Sequence, residues 1–239
     1  MTLFPGLLPR SPAAPDGIDL RCCDVATLLR EVRGARLVHA DPPWRYAREA
    51  GVANPETNGI YAGLSETDIV AHLDAAYDSA GPDCRLLCWY TWPKEEEWRA
   101  AGQAGDRWGR RVSAGSWTKM RPTSDGADLR GEHLLGVGFH WRGQTEPVAL
   151  FTKGATGKPT ETLLNGHVAP PTGHSEKPLD WLRAMVRAWT SPGDLVVDLY
   201  AGLAPMARAC HLEGRRYVGA EIDPERHRRA LVKLSEVAA

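Results

Sequence analysis

The stretch Leu195-Val196-Val197-Asp198-Leu199-Tyr200-Ala201-Gly202 decides the fold expected for this chain of 239 residues. Its apolar residues predict a short strand buried on both faces, and the residues after it predict a tight turn. A helix is expected over residues 205–213 and a second strand over residues 217–221, ending at Glu221. Strand, turn, helix and strand in this order are typical of a parallel sheet covered by helices.

Similar short apolar runs recur along the chain and predict further strands, at residues 37–40, 85–91 and 148–152. Three helices are expected between and after them. One begins at the Ser65 cap and runs to about residue 79, one carries an apolar stripe from Leu179 to Trp189, and the last begins at Pro224. The sequence therefore predicts an α/β fold with a doubly wound, mostly parallel sheet.

The predicted organisation is a single domain over residues 18–239, preceded by a flexible arm at residues 1–17 that contains four prolines. Two irregular segments, residues 45–63 and 118–138, are expected to be substrate loops, because long irregular segments in compact domains are often binding loops. Plain surface disorder is the alternative interpretation of both segments.

Composition and charge narrow the classes of function. The formal net charge is −1, so contact with nucleic acid has to be local rather than driven by bulk charge. Five cysteines, an odd number in a chain of this size, do not imply a disulfide framework. Cys84 and Cys88 lie four apart in an apolar strand-like run, which favours buried thiols in a reducing cytoplasm over a metal site. No apolar run is long enough for a membrane span, which favours a cytoplasmic protein. Local contact could come from a basic run that a solvated face explains equally well: Arg99, Arg107, Arg110, Arg111, Lys119 and Arg121.

The turn after Asp198 has the features of a nucleoside site. Glu221 follows it by about 20 residues, the interval at which an acid accepts hydrogen bonds from ribose hydroxyls. The turn holds one glycine where dinucleotide binders have three, which argues for a ligand without phosphates and against a nicotinamide oxidoreductase. A generic strand–helix turn without a ligand is the alternative.

The tetrapeptide Asp41-Pro42-Pro43-Trp44 follows the predicted strand at residues 37–40 and carries the most specific chemistry. An amine conjugated to a nucleobase is a poor nucleophile, and two acceptors on its N–H groups free its lone pair. The Asp41 carboxylate and the Pro42 carbonyl can be those acceptors, and Trp44 can stack on a base taken out of its helix. A proline-stiffened strand exit with a core tryptophan is the competing interpretation.

Two further motifs are weak alone. His174-Ser175-Glu176-Lys177-Pro178 precedes a helix, where Lys177 could pair with a carboxylate or be an ordinary surface lysine. Cys23-Asp24-Val25 could hold an adenine ring through an acceptor and an apolar contact.

Together these motifs resemble the N6-adenine methyltransferases with the Asp-Pro-Pro-Trp signature, which include the messenger-RNA adenosine methyltransferases and bacterial and phage DNA enzymes. Further matches are the segments Trp108-Gly109, Trp117-Thr118-Lys119 and Gly138 through Glu146 to Gly154, all in family order. The catalytic signature precedes the cofactor turn, as in permuted methyltransferases. One departure is Leu203-Ala204-Pro205, where bacterial relatives often continue Ala-Gly with Ser-Gly.

The resemblance implies a Rossmann-like fold, S-adenosylmethionine as cofactor, and direct in-line methylation of the 6-amino group of adenine without metal. DNA is the expected substrate, RNA or a catalytically silent partner subunit is the alternative, and a homodimer or a second subunit is compatible with the chain. The implied catalytic residues are Asp41, Pro42, Pro43 and Trp44. The implied cofactor residues are Asp24, Val25, Asp41, Ser175, Lys177, Asp198, Tyr200, Ala201, Gly202, Glu221 and Ile222. The expected substrate-binding residues are Trp44, Tyr46, Trp117, Lys119, Arg110, Arg111 and Arg142.

Overall fold

The computed structural model describes residues 14–45, 63–121, 132–133, 144–154, 156–170 and 176–238. Within these residues the strands are β1 Ile18–Cys22, β2 Ala35–Ala40, β3 Ala80–Trp89, β4 Ser113–Arg121, β5 Glu132–His133, β6 Thr145–Lys153, β7 Gly166–Ala169, β8 Leu195–Asp198 and β9 Arg216–Glu221. The helices are α1 Val25–Glu31, α2 Glu66–Ser79, α3 Glu95–Ala100, α4 Leu179–Trp189, α5 Pro205–Leu212 and α6 Pro224–Ala238, with a 3-10 turn at Trp92–Lys94.

The described strands form one mixed sheet in the order β1-β9-β8-β2-β3-β6-β4-β5, and β7 also pairs with β4. The five strands from β1 to β3 in this order are parallel to their neighbours, whereas β6 runs antiparallel to both β3 and β4. The predicted α/β class with a mostly parallel sheet is therefore confirmed.

Helices cover both faces of the sheet, as a doubly wound fold requires. Buried residues of α1, α2 and α3 pack on one face, and those of α4, α5 and α6 pack on the other. Each face has its own apolar core because strands buried on both sides present large apolar side chains in both directions. Two cysteines predicted to be buried, Cys84 and Cys88, lie in the first of these cores, and burial raises the pKa of the Cys84 thiol to about 12.

The predicted strands and helices are confirmed with shifts of a few residues at their ends. Helix α2 begins with a complete capping box, in which Ser65 and Asp68 each accept the backbone N–H of the other. Helix α5 ends at Leu212, one residue before the predicted end, and α6 begins at Pro224 as expected.

Four strands lack a counterpart in the sequence-based expectation. They are β1, β4, β5 and β7, which are short or carry few consecutive large apolar residues. Strand β4 continues to Arg121, so the predicted irregular segment begins too early at residue 118. The rest of both predicted loops lies mainly outside the described residues, and the domain boundaries stay a prediction.

The order of the strands creates a crevice between β8 and β2. Strand β8 continues through α5 to β9 on one side, whereas β2 continues through α2 to β3 on the other. Open α/β sheets bind ligands at such a switch point, outside the carboxyl ends of the strands. The residues that follow β8 and β2 include Asp41 and Tyr200.

None of the helices in the described residues combines the length and apolar character needed to cross a bilayer. No group of three or more histidine, cysteine, aspartate or glutamate side chains in the same residues is arranged to hold a metal ion.

Candidate active site

The carboxyl ends of four parallel strands bring the sequence motifs to one edge of the sheet. Asp24 follows β1, Asp41 follows β2, Tyr200 follows β8 and Glu221 ends β9. Residues far apart in the chain therefore lie along one crevice, as the parallel topology requires.

A chain of alternating charges is centred on Lys177. Its ammonium group lies 2.6 Å from Asp41 Oδ2 and 3.1 Å from Glu146 Oε2, and Glu146 also pairs with Lys119. Lys177 is buried, so each of its charged contacts is shielded from water. The sequence predicted that Lys177 could pair with a carboxylate, and in this structure it pairs with carboxylates of the chain itself.

The network shifts the pKa values of its buried members in opposite directions. Burial alone lowers the pKa of Lys177, but the carboxylates of Asp41 and Glu146 outweigh burial and hold it above its usual value. Burial alone raises the pKa of Glu146, but Lys177 and Lys119 outweigh it and lower that pKa. Both groups are therefore charged at neutral pH.

The tetrapeptide after β2 forms a tight turn. Trp44 N–H donates to the Pro42 carbonyl over 2.9 Å, and Leu64 N–H donates to the Pro43 carbonyl over 2.8 Å. A carbonyl oxygen has two lone pairs, so the Pro42 oxygen retains one for a second donor. Asp41 makes its described hydrogen bond through Oδ2, and Oδ1 has no bond within the described part of the chain.

Trp44 packs into the core. Its side chain is 9% exposed, its Nε1 donates to the Trp89 carbonyl over 3.2 Å, and Trp98 meets it edge to face at 5.7 Å. This agrees with the competing interpretation of a core tryptophan. A base could reach only a small part of the ring in this conformation, and the stacking role of Trp44 stays a prediction.

The turn after β8 is held to β9 by its backbone. Ala201 N–H donates to the Ala220 carbonyl over 2.8 Å, and Gly202 N–H donates to Glu221 Oε2 over 2.9 Å. Gly202 has φ +57°, and a side chain at its position would meet open space. The turn therefore leaves open space beside its backbone at Gly202. Ile222, which follows Glu221, is 69% exposed beside it.

The departure at Leu203-Ala204-Pro205 leaves the turn intact. Ala204 takes the left-handed conformation that glycine prefers, with φ +57° and ψ +45°, and Pro205 opens α5. A left-handed alanine costs roughly 1–2 kcal/mol, which the buried surroundings of Ala204 must offset. The departure in sequence is thus accompanied by local backbone strain at Ala204.

Asp198 lies beneath the turn, fully buried. Its Oδ1 meets His39 Nδ1 at 2.9 Å and accepts the Tyr200 N–H at 3.3 Å, and its Oδ2 accepts the Tyr217 hydroxyl at 3.1 Å. A side chain with no exposed surface and both oxygens bonded supports the turn from below. Contact of Asp198 with a cofactor stays a prediction.

His39 and Trp89 complete this network, and sequence reasoning missed both. Trp89 Nε1, which can only donate, lies 3.0 Å from His39 Nε2, so His39 is neutral and carries its proton on Nδ1 toward Asp198. Trp89 also places its ring 5.1 Å from the Lys177 ammonium. A histidine and an aspartate in two otherwise apolar strands were the available signal, because buried polar groups need partners.

Asp24 and Val25 have structural partners at the start of α1. Both oxygens of Asp24 accept bonds from Thr27, at 2.7 and 3.0 Å, and this capping lowers the pKa of Asp24. The Val25 side chain lies in the core. Contact of either residue with a cofactor stays a prediction, and Ser175 lies outside the described residues.

The residues expected to bind substrate differ in their surroundings. Trp117 is 0% exposed and its Nε1 donates to the Ala169 carbonyl over 2.9 Å, and its contact with substrate stays a prediction. Lys119 pairs with Glu146. Arg111 pairs with Glu95 and donates to the Tyr90 hydroxyl, whereas Arg110 is exposed. Tyr46 and Arg142 lie outside the described residues.

The predicted basic face is largely neutralised. Arg107 pairs with Asp74 at 3.2 Å and Asp78 at 2.6 Å, both in the second half of α2, and Arg99 pairs with Glu95 at 3.3 Å. Exposed paired charges attract a polyanion less than free ones do.

Solved structures with the same architecture were found by comparison. The PvuII DNA methyltransferase, named as cytosine-N4-specific, is 15% identical with a TM-score of 0.65, over 95% of this chain and 94% of that chain. The M1.HpyAVI–SAM complex is 14% identical with a TM-score of 0.63, over 91% and 99%. This chain has a DNA methyltransferase fold. A third structure with this fold is TTHA0409 of Thermus thermophilus complexed with S-adenosyl-L-methionine. It is 17% identical with a TM-score of 0.63, over 91% of this chain and 93% of that chain.

Sequence comparisons cover part of the methyltransferase fold. Residues 153–232 match the family model described as DNA methylase. The Escherichia coli (strain K12) protein named "Putative methylase YubD" is 33% identical over 81 residues, which is 34% of this chain and 36% of that protein. The family-model match includes Lys177, the turn after β8 and Glu221, but it begins well after Asp41 in the sequence and does not include it.

Proposed function

We propose that this chain is an S-adenosylmethionine-dependent DNA methyltransferase that modifies the 6-amino group of adenine. The observation that carries the proposal is the placement of Asp41, at the switch point of the sheet and directly across from the turn after β8. A carboxylate for the target amine and a nucleoside-type turn thus share one crevice.

The residues of the crevice fit the proposed cofactor. Gly202 leaves open space next to the turn, and the exposed Ile222 offers an apolar surface for the adenine ring. The two oxygens of Glu221 accept the N–H groups of Gly202 and Asp223, and each retains a lone pair that can accept a ribose hydroxyl. Two structures with this fold are named as complexes with S-adenosylmethionine. When bound, this cofactor supplies an electrophilic methyl group on a sulfonium centre.

The residues around Asp41 then act on the target amine. Asp41 Oδ1 accepts one N–H of the amine and the Pro42 carbonyl accepts the other, which directs the nitrogen lone pair toward the methyl group. The Asp41 carboxylate stabilises the positive charge that develops on that nitrogen, and the methylated nitrogen then releases one proton to solvent to give the neutral N-methyl product. Lys177 holds Oδ2 and so fixes the direction of Oδ1. Positioning of this kind, without a covalent enzyme intermediate, supplies most of the expected rate increase.

The amino group at position 4 of cytosine is the second candidate target. Its support is the PvuII enzyme, which is named as cytosine-N4-specific and has this fold. Two acceptors at Asp41 and Pro42 suit any exocyclic amine. DNA is favoured over RNA because the family model and the named methyltransferase structures are those of DNA enzymes.

The experiment that tests the proposal is methyl transfer from labelled S-adenosylmethionine to unmethylated DNA and RNA side by side. Digestion to nucleosides and mass spectrometry then identify the product. N6-methyladenine in DNA is the expected result, and N4-methylcytosine would move the assignment to the second candidate. A folded protein that binds the cofactor but labels neither polymer would favour a silent partner subunit.

Asp41→Ala is expected to lower kcat by about 10²–10³-fold or more, because it removes the group that stabilises the developing charge. The matched control is Asp83→Ala, which removes an aspartate paired with Arg36 at 3.5 Å near the opposite edge of the sheet. Circular dichroism should show both variants folded. Transfer by Asp41→Ala at the wild-type rate would refute the mechanism.

A further inference from the structure

Trp92 differs from most other tryptophans of the described residues. Its side chain is 51% exposed, whereas six others are at most 9% exposed. Exposed indole surface is unfavourable in water, since burial of apolar area is the main stabilising term of a fold. The buried six are Trp44, Trp89, Trp98, Trp108, Trp117 and Trp181.

The exposed ring is held in place. Its Nε1 donates to Thr145 Oγ1 over 2.8 Å, and Tyr90 meets it edge to face at 5.9 Å. Trp92 also opens the 3-10 turn that contains Pro93, which restricts the backbone. Because Nε1 is already bonded, the ring offers an aromatic face and no free donor, which suits stacking on any base.

The ring of Trp92 follows the carboxyl end of β3, on the side of the sheet where the candidate active site lies. Trp92 follows β3 by three residues, and β3 is the parallel neighbour of β2, which leads to Asp41. Its partner Thr145 directly precedes Glu146, which lies 3.1 Å from Lys177. Lys177 in turn lies 2.6 Å from Asp41. Asp41 is therefore connected through Lys177 to Glu146, which is the neighbour of Thr145 in the chain.

We propose that Trp92 is the stacking surface for an unpaired nucleobase of the bound strand. The inference rests on the proposed function, and it assigns to Trp92 the aromatic contact that the buried Trp44 is poorly placed to make. A base removed from its helix loses its stacking neighbours, and an aromatic ring at the mouth of the site replaces them.

Kinetics of methyl transfer to unmethylated DNA test the inference separately from the proposed function. Trp92→Ala should raise the KM for DNA about tenfold, within the range found for stacked bases, and leave the KM for S-adenosylmethionine unchanged. Trp92→Phe should recover most of the loss because it keeps a flat ring. Val112→Ala, which alters a side chain of equal exposure (52%), should match the wild type. Wild-type activity with an unchanged KM for DNA in Trp92→Ala would overturn the inference alone.

Binding to single strands gives a readout without catalysis. Wild type should bind a fluorescent oligodeoxyadenylate more tightly than an abasic strand of the same length, and Trp92→Ala should remove that difference. Equal weakening on both strands, or no preference in the wild type, would contradict base stacking whether or not methyl transfer is found.

Sedimentation of the same variants tests the other use of an exposed tryptophan, a contact between proteins. Wild type and Trp92→Ala should sediment identically. A dimer that Trp92→Ala dissociates would assign the ring to a protein interface and overturn the inference.

Discussion

At the scale of single residues, the candidate site is built on buried polar groups that fix one another. Asp198 accepts hydrogen bonds from His39 in β2, from Tyr200 after β8 and from Tyr217 in β9. His39 and Asp198 are direct partners in the register of β2 and β8. The network therefore joins the strand that leads to Asp41 to the strand that leads to the turn.

His39→Leu should lower the free energy of unfolding by about 2–5 kcal/mol, because it leaves two buried partners, Trp89 Nε1–H and Asp198 Oδ1, without a bond from His39. Tyr217→Phe removes one bond to Asp198 and should cost less, about 1–3 kcal/mol. Urea denaturation measures both values.

A double-mutant cycle with Trp89→Phe checks that the two side chains interact. Removing the Trp89 donor should cost less in the His39→Leu background than in the wild type, since the N–H is then already unpaired. Additive free energies would show that Trp89 and His39 contribute independently and that the assigned tautomer is wrong.

At the scale of elements, the turn after β8 depends on backbone conformations and less on side chains. Gly202 and Ala204 are both left-handed, and the start of the turn is held to β9 through the N–H groups of Ala201 and Gly202. The motif tolerates alanine at position 204 because the strain is local and the surroundings are well packed. At position 202 a side chain would enter open space, so it would meet a cofactor bound against the turn.

Gly202→Ala should weaken binding of S-adenosylmethionine by about tenfold or more, equivalent to about 1.4 kcal/mol, because a methyl group enters the space beside the turn. The matched control is Gly214→Ala. Gly214 is also left-handed with open space around it, but it follows α5 at the opposite edge of the sheet.

Both glycine variants should lose roughly 1–2 kcal/mol of stability to the left-handed strain, and only Gly202→Ala should lose affinity. Thermal unfolding and calorimetric titration measure the two effects. Equal affinities in the two variants would mean that the cofactor does not approach the backbone at Gly202.

The elements also show what the sequence could predict. Apolar runs and caps identified β2, β3, β6, β8, β9 and the helices α2, α4, α5 and α6, because each signal is local. Strand β1 was missed beside the expected arm, and β7 lacks a continuous run of large apolar residues. Its pairing with β4 is a long-range contact that no local pattern encodes.

The candidate site shows the same division. The acids and the turn were predicted from motifs at strand ends, whereas the partners of Lys177 and Asp198 depend on strand register. Trp44 and Trp117 were expected to face a substrate. The sequence of a motif does not indicate whether a tryptophan side chain points toward a ligand or into the core. The fold buried both.

At the scale of the whole molecule, the two halves of the sheet meet at Lys177. Asp41 follows β2, in the half of the sheet that contains β2 and β3. Glu146 lies in β6, the strand at which the antiparallel extension of the sheet begins. Lys177 precedes α4 on the face covered by the C-terminal helices. A single buried ammonium thus links three parts of the fold, and its charge balance should be visible in the stability of the whole chain.

Acid should therefore destabilise the protein through Glu146. Burial would raise the pKa of Glu146, but Lys177 and Lys119 outweigh it, so the folded-state pKa lies below the 4.5 of a free glutamate. The stabilising contribution of the carboxylate is present above about pH 4.5 and is lost as the pH falls through the lowered folded-state pKa.

Glu146→Gln should be less stable than the wild type at neutral pH, and its stability should fall less steeply between about pH 5 and pH 3. The control is Glu225→Gln, which removes an exposed carboxylate paired with Arg228 at 2.6 Å and should leave the stability nearly unchanged at any pH. Urea unfolding across this pH range measures both variants, and parallel curves for wild type and Glu146→Gln would show that the Glu146 carboxylate does not carry the acid sensitivity.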